Sequence, residues 1–356
     1  MPYHLFSLIV MKKLLRLVLL AVALLLALAA WLLLGSATAF DEKQKYLYIH
    51  TTNPTKEKVQ EALLEQNILK GTSVFNLLAG WTGYYDHIKP GKYKVEKGTS
   101  VIRLLRLLQK GRQEEVRMVI GKVRLPEEMA QRMARYIETD SAAALAFLTN
   151  DDSLASLGVN QANWMTAMLP NTYNIYWTYP VGQVMRKLKQ ESDKWWSKEQ
   201  RKEKAAKLGY TPQQIFTIAS IVEEETNMTK DKPLIASVYL NRLKKGMPLQ
   251  ADPTVRFARK DFESNRVTYE HLRTPSPYNT YLNKGLPPGP ICIPSLVSID
   301  AVLNAPATDY LYFVAKPDFS GYSVFTANFN EHKIAAKRYQ DSLNAYLARK
   351  AAQSSR

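Results

Sequence analysis

The N-terminal segment of the chain is the feature that most constrains how it can fold. Residues 17–34, LVLLAVALLLALAAWLLL, carry no charge, and with the apolar residues beside them they approach the roughly 20 residues that a helix needs to cross a bilayer. Lys12, Lys13 and Arg16 directly precede this run. Because positive residues are retained on the cytoplasmic side, we expect residues 1–11 inside the cell and a transmembrane helix over residues 12–36.

A cleaved signal peptide is the alternative for this segment. Ala37-Thr38-Ala39 fits a small-x-small cleavage site, but the apolar run is longer than the roughly 7 to 15 residues of a signal core, which favours a retained anchor. Met11-Lys12-Lys13 is also typical of a translation start, in which case residues 1–10 extend the reading frame upstream. With either alternative, the rest of the chain is predicted to be exported.

Charge and cysteine content limit the class of function. The formal net charge is +16, which suits nucleic acid, an acidic polymer or an anionic membrane surface, and the predicted export argues against nucleic acid. Cys292 is the only cysteine, so the chain can form neither an internal disulfide framework nor a zinc site built from cysteines. Its apolar neighbours predict a small buried side chain.

Residues 46–115, which follow a linker over residues 37–45, have the pattern of a small α+β unit. YLYIHTT and KYKVEK are typical of strands, and KEKVQEALLEQNIL, TSVFNLLAGW and TSVIRLLRLLQKGR of helices. The order resembles a LysM-like carbohydrate-binding region, although any small α+β module could share it.

Residues 116–206 are predicted to be a mixed, largely helical connecting region. Its aromatic stretch WMTAMLPNTYNIYWTYP, over residues 164–180, either fills a core or stacks on sugar rings, and core packing is the commoner outcome. Residues 207–348 are predicted to be a mixed α+β catalytic domain, and residues 349–356 a flexible tail.

Three consecutive carboxylates end a strongly predicted helix. Thr211 can cap it, Pro212 suits its first turn and Gln214 completes a capping box, so a helix should run from Pro212 into IFTIASIVEEETN. Helical spacing gives one apolar face, with Glu224 almost opposite and solvated, and with Glu223 and Glu225 on the two flanks. A partly desolvated carboxylate on a flank would have a raised pKa and could act as a general acid, whereas a run of three glutamates is more often an exposed helix end.

Downstream motifs favour the catalytic interpretation. SVYLNRLKKGMPLQADPTV predicts a second helix and a polar turn, residues 274–294 form a long Pro/Gly/Asn loop, and YLYFVAKPDFSGYSVFT predicts two strands. The ordered set ASIVEEET, SVYLNRLKKGMPLQADPTV, YNTYLNKGLPPGPI and LYFVA closely resembles the MltG-type (YceG-like) endolytic murein transglycosylases. The first motif is EEET where EKET is often found, and the changed position is Glu224.

This resemblance implies cleavage of the β-1,4 bond between N-acetylmuramic acid and N-acetylglucosamine in peptidoglycan. The 6-hydroxyl of the sugar attacks the anomeric carbon and leaves a 1,6-anhydro end, so one carboxyl can serve as both acid and base. The resemblance matches Glu223 to the catalytic glutamate, with Glu225 as the alternative or as a supporting carboxylate. It also implies that a set of polar and aromatic residues lines the sugar cleft: Gln250, Asp252, Thr254, Tyr278, Asn279 and Tyr281.

The sequence as a whole predicts an α+β chain with a single N-terminal transmembrane helix, a LysM-like subdomain and a mixed catalytic domain. We expect it in the inner membrane with its catalytic part facing the periplasm, acting on peptidoglycan strands beside peptidoglycan synthases. No motif calls for a cofactor, and neither His271 nor His332 has metal-ligand spacing around it. The competing hypothesis is a non-catalytic, membrane-anchored peptidoglycan-binding or scaffold protein.

Overall fold

The predicted membrane segment is part of one long helix, α1 (Tyr3–Leu34). The computed structural model of the chain describes residues 3–263 and 267–354; residues 1–2 of the expected cytoplasmic N-terminus and residues 355–356 of the expected tail lie outside them. Within α1, Met11–Leu34 is long and apolar enough to cross a membrane, with a mean hydropathy of 3.0, and is not buried in the protein. A signal sequence would share these properties.

The chain divides into two units. Unit 1 comprises Met1–Val116 and Asn174–Tyr179, and unit 2 comprises Arg117–Tyr173 and Pro180–Arg356. Residues 117–173 and 180–206, which we expected to connect two domains, therefore belong to the same unit as the expected catalytic domain. The expected domain boundaries stay predictions.

Unit 1 builds its core from a two-stranded sheet and helices that pack on it. β1 (Gln44–Ile49) and β2 (Gly91–Glu96) pair antiparallel, with Leu47 opposite Tyr93, and both of these side chains are fully buried. The side chains of Thr55 and Ser100 cap the N-terminal ends of two of these helices, which begin at Lys56 and Val101. The helices of this unit after α1 are α2 (Lys56–Glu65), α3 (Ser73–Trp81) and α4 (Val101–Lys110).

β3 (Glu115–Ile120) and β4 (Asn171–Tyr176) form a second two-stranded sheet. The remaining elements belong to unit 2. They are α5 (Pro126–Ala134), α6 (Ser141–Leu148), α7 (Asp151–Ala155), α8 (Val181–Trp196), α9 (Arg201–Lys207), α10 (Pro212–Glu225), α11 (Lys232–Lys244), α12 (Asp252–Arg259), α13 (Leu296–Leu303), β5 (Tyr312–Ala315), β6 (Ser323–Thr326) and α14 (Phe329–Ser354).

α10 is the central helix of unit 2. The predicted capping box is present: Thr211 accepts a hydrogen bond from the backbone of Gln214, and the Gln214 side chain accepts one from the backbone of Thr211. Every residue from Ile215 to Val222 is buried, because α11, α12 and α13 all pack against this helix. Cys292 is buried beside it with its thiol 3.5 Å from the carbonyl of Ser220, which confirms its prediction as a buried side chain.

The other elements mostly follow the sequence. The mixed α+β class is confirmed, and β5 and β6 pair as the predicted hairpin. In the aromatic stretch, core packing is confirmed for Trp164 and Tyr173, which are 2% and 4% exposed. The polar turn expected at LQADPT is wrong in part, because Asp252 and Pro253 instead form the first turn of α12. Proline at this position suits a helix start because the helix does not use its missing N–H.

Candidate active site

Three consecutive carboxylates at the end of α10 lie in three different environments. Glu223, Glu224 and Glu225 are separated by about 100° around the helix, so their side chains leave it in different directions. Because α10 is surrounded by other parts of unit 2 from Ile215 to Val222, each of the three side chains that follow meets a different part of the unit. The three carboxylates therefore differ in their partners and their proton affinity.

Glu224 does not face solvent, and our prediction that it would was wrong. Arg124 donates two hydrogen bonds to its carboxylate, Nε to Oε1 at 3.0 Å and Nη2 to Oε2 at 2.9 Å, and Lys122 lies 3.3 Å from Oε1. The Glu224 side chain is only 16% exposed. Burial acts to raise the pKa of Glu224, but the bonds and charges of Arg124 and Lys122 outweigh it and lower the pKa. Helical spacing alone gave the wrong prediction for Glu224 because it does not show which parts of the protein pack against the polar side of the helix.

Glu223 is the centre of a hydrogen-bonded network between three helices. Its Oε2 accepts hydrogen bonds from Lys232 Nζ at 2.7 Å on α11, from Ser295 Oγ at 2.6 Å and from Ser298 Oγ at 2.5 Å on α13. Burial acts to raise its pKa, but these bonds and the charge of Lys232 lower it to about 2. The raised pKa expected for Glu223 is therefore a wrong prediction: this carboxyl is ionised at neutral pH and fully engaged.

Glu225 has the opposite electrostatic character. It accepts a hydrogen bond of 2.5 Å from the hydroxyl of Tyr239 on α11. Burial raises its pKa to about 7, and the nearby charge of Asp252 acts in the same direction, whereas Tyr239 and Arg242 act to lower it. Of the three glutamates, only Glu225 can hold or release a proton near neutral pH.

Glu225 also opens into a cavity of about 300 Å³. This volume is at the lower end of what small-molecule sites usually occupy. Both polar and aromatic side chains surround it, as a sugar ring requires. The lining residues are Glu225, Arg242, Leu249, Gln250, Asp252, Tyr281, Tyr312, Phe313 and His332.

Half of the residues expected to line the sugar cleft do line this cavity. Tyr281 donates a hydrogen bond of 2.6 Å to Asp252 Oδ1, which links the long loop to the start of α12. Burial and this bond raise the pKa of the Tyr281 hydroxyl, so it remains a donor at neutral pH. Gln250 adopts a left-handed backbone with φ 53°, and its side-chain oxygen accepts a hydrogen bond from Arg242 at 3.3 Å.

The other expected cleft residues have structural contacts instead. Thr254 is fully buried and hydrogen-bonds to Ala251 and Thr280, and Asn279 is fully buried and donates to the carbonyls of Leu272 and Thr274. The polar groups of both residues hold the two loops in shape, and a role for either residue in sugar binding stays a prediction. Tyr278 does not line the cavity either; its hydroxyl donates to the carbonyl of Ala162 at 3.1 Å.

Backbone packing fixes the loop that carries Tyr281. A Cβ at Gly289 would lie 1.8 Å from the carbonyl oxygen of Ala162, so only glycine fits where the two backbones approach. The hydroxyl of Tyr278 donates to the same carbonyl, so both Gly289 and Tyr278 fasten the loop to Ala162.

Sequence reasoning missed three polar residues of the site: Tyr239, Arg242 and His332. Tyr239 lies in the helix predicted from SVYLNRLKKGMPLQADPTV, and a buried tyrosine needs a partner for its hydroxyl, so that requirement was an available signal. His332 stacks on Tyr312 with ring centroids 5.2 Å apart, and burial and the charge of Arg242 lower the pKa of its imidazole. No local pattern marked His332, and Arg242 lies within the quoted motif SVYLNRLKKGMPLQADPTV but was not predicted as a site residue. Among the described residues no group of three or more His, Cys, Asp or Glu is arranged to hold a metal ion.

The arrangement is suited to proton transfer on a polar ligand. A carboxyl with a pKa near the ambient pH is the most effective general acid and base, since both of its protonation states are available. Glu225 has one carboxyl oxygen bound to Tyr239 and lies beside a cavity with hydrogen-bonding groups on several sides. Glu223 and Glu224, paired with cations, are suited to holding the structure together.

Comparison with known proteins places this geometry in context. The profile of the YceG-like family matches residues 48–338. An endolytic murein transglycosylase of Bacillus subtilis is 48% identical over 130 residues, which are 36% of this chain and 35% of that protein. An endolytic murein transglycosylase of Streptococcus pneumoniae D39 is 30% identical over 331 residues, covering 84% of this chain and 59% of that protein.

The comparison with solved structures agrees with the match to the YceG-like family profile. The crystal structure of a yceG-like protein from Listeria monocytogenes superposes with a TM-score of 0.54 at 26% identity, covering 82% of this chain and 99% of that one. The chain spans less than two thirds of the length of the curated relatives that it matches, 35% of one and 59% of the other.

Proposed function

The chain belongs to the YceG-like family, and from this premise we propose that it is an endolytic lytic transglycosylase of peptidoglycan. It cleaves the β-1,4 bond from N-acetylmuramic acid to N-acetylglucosamine within a glycan strand and leaves a 1,6-anhydro end. The names of the two relatives, both endolytic murein transglycosylases, support this proposal. The observation that carries it is a carboxyl with a pKa of about 7, Glu225, beside a sugar-sized cavity.

We assign the acid and base role to Glu225 rather than to Glu223. Glu223 is held ionised by Lys232 and two serines, so it has no proton to donate at neutral pH. Glu225 retains a proton in part of the population, and it is the glutamate of the triplet that lines the cavity with Asp252 and Tyr281. Glu223 instead supports the last turn of α10.

The proposed reaction needs one proton and one carboxyl. Protonated Glu225 donates its proton to the glycosidic oxygen as the bond from that oxygen to the anomeric carbon breaks. The resulting carboxylate then accepts the proton of the 6-hydroxyl while the 6-oxygen bonds to the anomeric carbon. Glu225 ends the cycle protonated, no water is consumed, and a pKa near 7 suits both steps.

Unit 1 is proposed to bind the same glycan as a LysM-like region. Its support is an aromatic cluster on the sheet: Tyr48 and Trp177 meet with ring centroids 5.0 Å apart, and His50 lies 5.1 Å from Trp177. A cavity of about 240 Å³ lined by Tyr48, His50 and Glu65 adjoins this cluster. Rings beside polar groups are a common arrangement for holding a saccharide.

We further propose that α1 anchors the chain in the inner membrane with its active site in the periplasm. The support is the apolar span Met11–Leu34 and the cations Lys12, Lys13 and Arg16 at its start. A membrane-bound enzyme in this position meets glycan strands as peptidoglycan synthases make them, so we propose such synthases as its partners.

The decisive experiment is to incubate the purified full chain with peptidoglycan and search the products for 1,6-anhydro ends by mass spectrometry. We expect such ends from the wild type, none from Glu225→Gln, and turnover from Glu223→Gln when the rate is expressed per folded molecule. Glycan binding by the wild type without new ends would instead identify a scaffold protein. Full activity of Glu225→Gln with an inactive, folded Glu223→Gln would reverse our assignment.

A further inference from the structure

Arg242 is a buried cation with an unusual set of partners. Its side chain leaves α11, and the residue is 8% exposed. Its Nε donates to the carbonyl of Leu311 at 2.7 Å, and its Nη1 donates to the carbonyl of Leu249 at 2.8 Å, with longer bonds of 3.3 Å to Pro248 and Gln250. All four acceptors are amide oxygens, and together they hold the guanidinium in one position.

The third guanidinium nitrogen of Arg242, Nη2, has no carboxylate or carbonyl bound to it in the part of the chain that the structure describes. Within the described residues Arg242 forms no ion pair, and none of its hydrogen bonds uses Nη2. Charged side chains are seldom buried unless an opposite charge pairs with them. Arg242 also lines the cavity that contains Glu225, so a bound ligand can supply the missing acceptor.

The charges around the cavity indicate what kind of acceptor fits. Arg242, Asp252 and Glu225 line the same cavity, so a cation and two carboxyl groups face one bound ligand. A ligand carboxylate would gain from Arg242 but be repelled by Asp252 and by ionised Glu225. A neutral oxygen of high acceptor strength avoids this repulsion. Amide oxygens are such acceptors, and Arg242 already binds four of them.

We propose that Nη2 of Arg242 donates a hydrogen bond to the acetamido oxygen of the aminosugar bound beside Glu225, and that this contact selects N-acetylated over N-deacetylated glycan. This inference rests on the proposed function. A deacetylated sugar lacks the acceptor and carries an ammonium group, which brings a positive charge towards Arg242. The same residue therefore favours one substrate and disfavours the other.

The test compares two forms of one substrate with the full chain. Peptidoglycan strands are prepared with their acetyl groups intact, and a portion is treated with a polysaccharide N-deacetylase; kcat/KM is then measured on both. We expect the wild type to prefer the acetylated strands by at least about tenfold, because a site built around a hydrogen bond rejects a ligand that lacks its partner. Arg242→Lys replaces the planar guanidinium with an ammonium group and should reduce the ratio of kcat/KM on acetylated to deacetylated strands to near one.

Arg201 provides a matched control. It is 6% exposed, and its guanidinium also donates to carbonyls, those of Trp195 and Lys198, but it does not line the cavity. Arg201→Lys should lower stability without changing the substrate ratio. If Arg242→Lys likewise leaves the ratio unchanged, Arg242 only crosslinks the fold and the inference is wrong.

Binding to an inactive form separates this inference from the proposed function. Glu225→Gln should bind acetylated strands more tightly than deacetylated strands in titration calorimetry, and Glu225→Gln with Arg242→Lys should not. Equal wild-type rates or equal Glu225→Gln affinities for the two strand forms overturn the inference even if Arg242→Lys does not fold. Absence of any cleavage, with this binding preference intact, overturns the proposed catalysis alone.

Discussion

The hydroxyl of Tyr239 lies 2.5 Å from Oε1 of Glu225 and donates a hydrogen bond to it, which joins α11 to the end of α10. This bond stabilises the carboxylate and so lowers the pKa of Glu225, while burial raises it more strongly. The pKa of about 7 is thus a balance between a desolvated site and one short bond.

This balance predicts the pH dependence of the reaction. The pKa of Glu225 is raised from 4.5 to about 7, so the protonated form that starts the proposed reaction is lost as pH rises through about 7, and the rate should fall there. Tyr239→Phe removes a bond that lowers the pKa, so the falling limb should move to higher pH. Anhydro-end formation measured across neutral pH checks both statements.

Tyr173→Phe is the control for this prediction. Tyr173 is also buried in unit 2, and its hydroxyl donates to the carbonyl of Leu169, away from the cavity. Its removal should cost about 1 kcal/mol of stability and leave the pH profile in place. Coincident profiles for wild type and Tyr239→Phe would show that the falling limb belongs to another group.

The Glu223 network predicts a loss of stability in acid. Its pKa is lowered from 4.5 to about 2, so the ionised form stabilises the fold by roughly 3 kcal/mol above about pH 4.5, and this contribution is lost as pH falls towards about 2. Glu223→Gln should lower stability at neutral pH by about 3–5 kcal/mol, because it leaves buried Lys232 without its anion. Its stability should also fall less steeply in acid.

Thermal unfolding of the full chain at a series of pH values measures both effects. Glu203→Gln, at an exposed position on α9, is the matched substitution and should follow the wild type. Parallel acid losses in wild type and Glu223→Gln would rule out the network as the source of the acid sensitivity.

The contact between Gly289 and Ala162 predicts a sharp steric effect. Gly289→Ala places a methyl group 1.8 Å from the Ala162 oxygen, so the loop has to move, and we expect a stability loss of at least about 2 kcal/mol. Because the loop carries Tyr281, glycan affinity should weaken as well. Gly71→Ala is the comparison, since a Cβ there meets nothing within 4 Å and its backbone is not left-handed. Similar unfolding temperatures for the two variants would contradict this account.

Local signals in the sequence predicted most of the helices and strands. The capping box at Thr211 and Gln214 located the start of α10, and the two strands predicted from YLYFVAKPDFSGYSVFT located the β5–β6 hairpin. Asp252 and Pro253 were ambiguous because the same pair can close a turn or open a helix. The choice between these depends on tertiary packing, which a short window of sequence does not contain.

The site was predictable in its residue types but not in its roles. Helical spacing separated the directions of Glu223 and Glu225, but their proton affinities depend on Lys232, Ser298 and Tyr239, which lie on other helices. Likewise Thr254 and Asn279 have the polarity expected of a cleft, and only the fold shows that their polar groups are already bonded inside the protein.

The two ends of α10 are both fastened, by the capping box at Thr211 and by the bonds of Glu223 near its last turn. Its 14 residues therefore form a rigid rod of about 21 Å whose tip carries Glu225. A general acid mounted in this way has little freedom to search for its target. In the proposed reaction the glycan therefore has to move into position against Glu225, and the protein fixes the position of the carboxyl before the substrate binds.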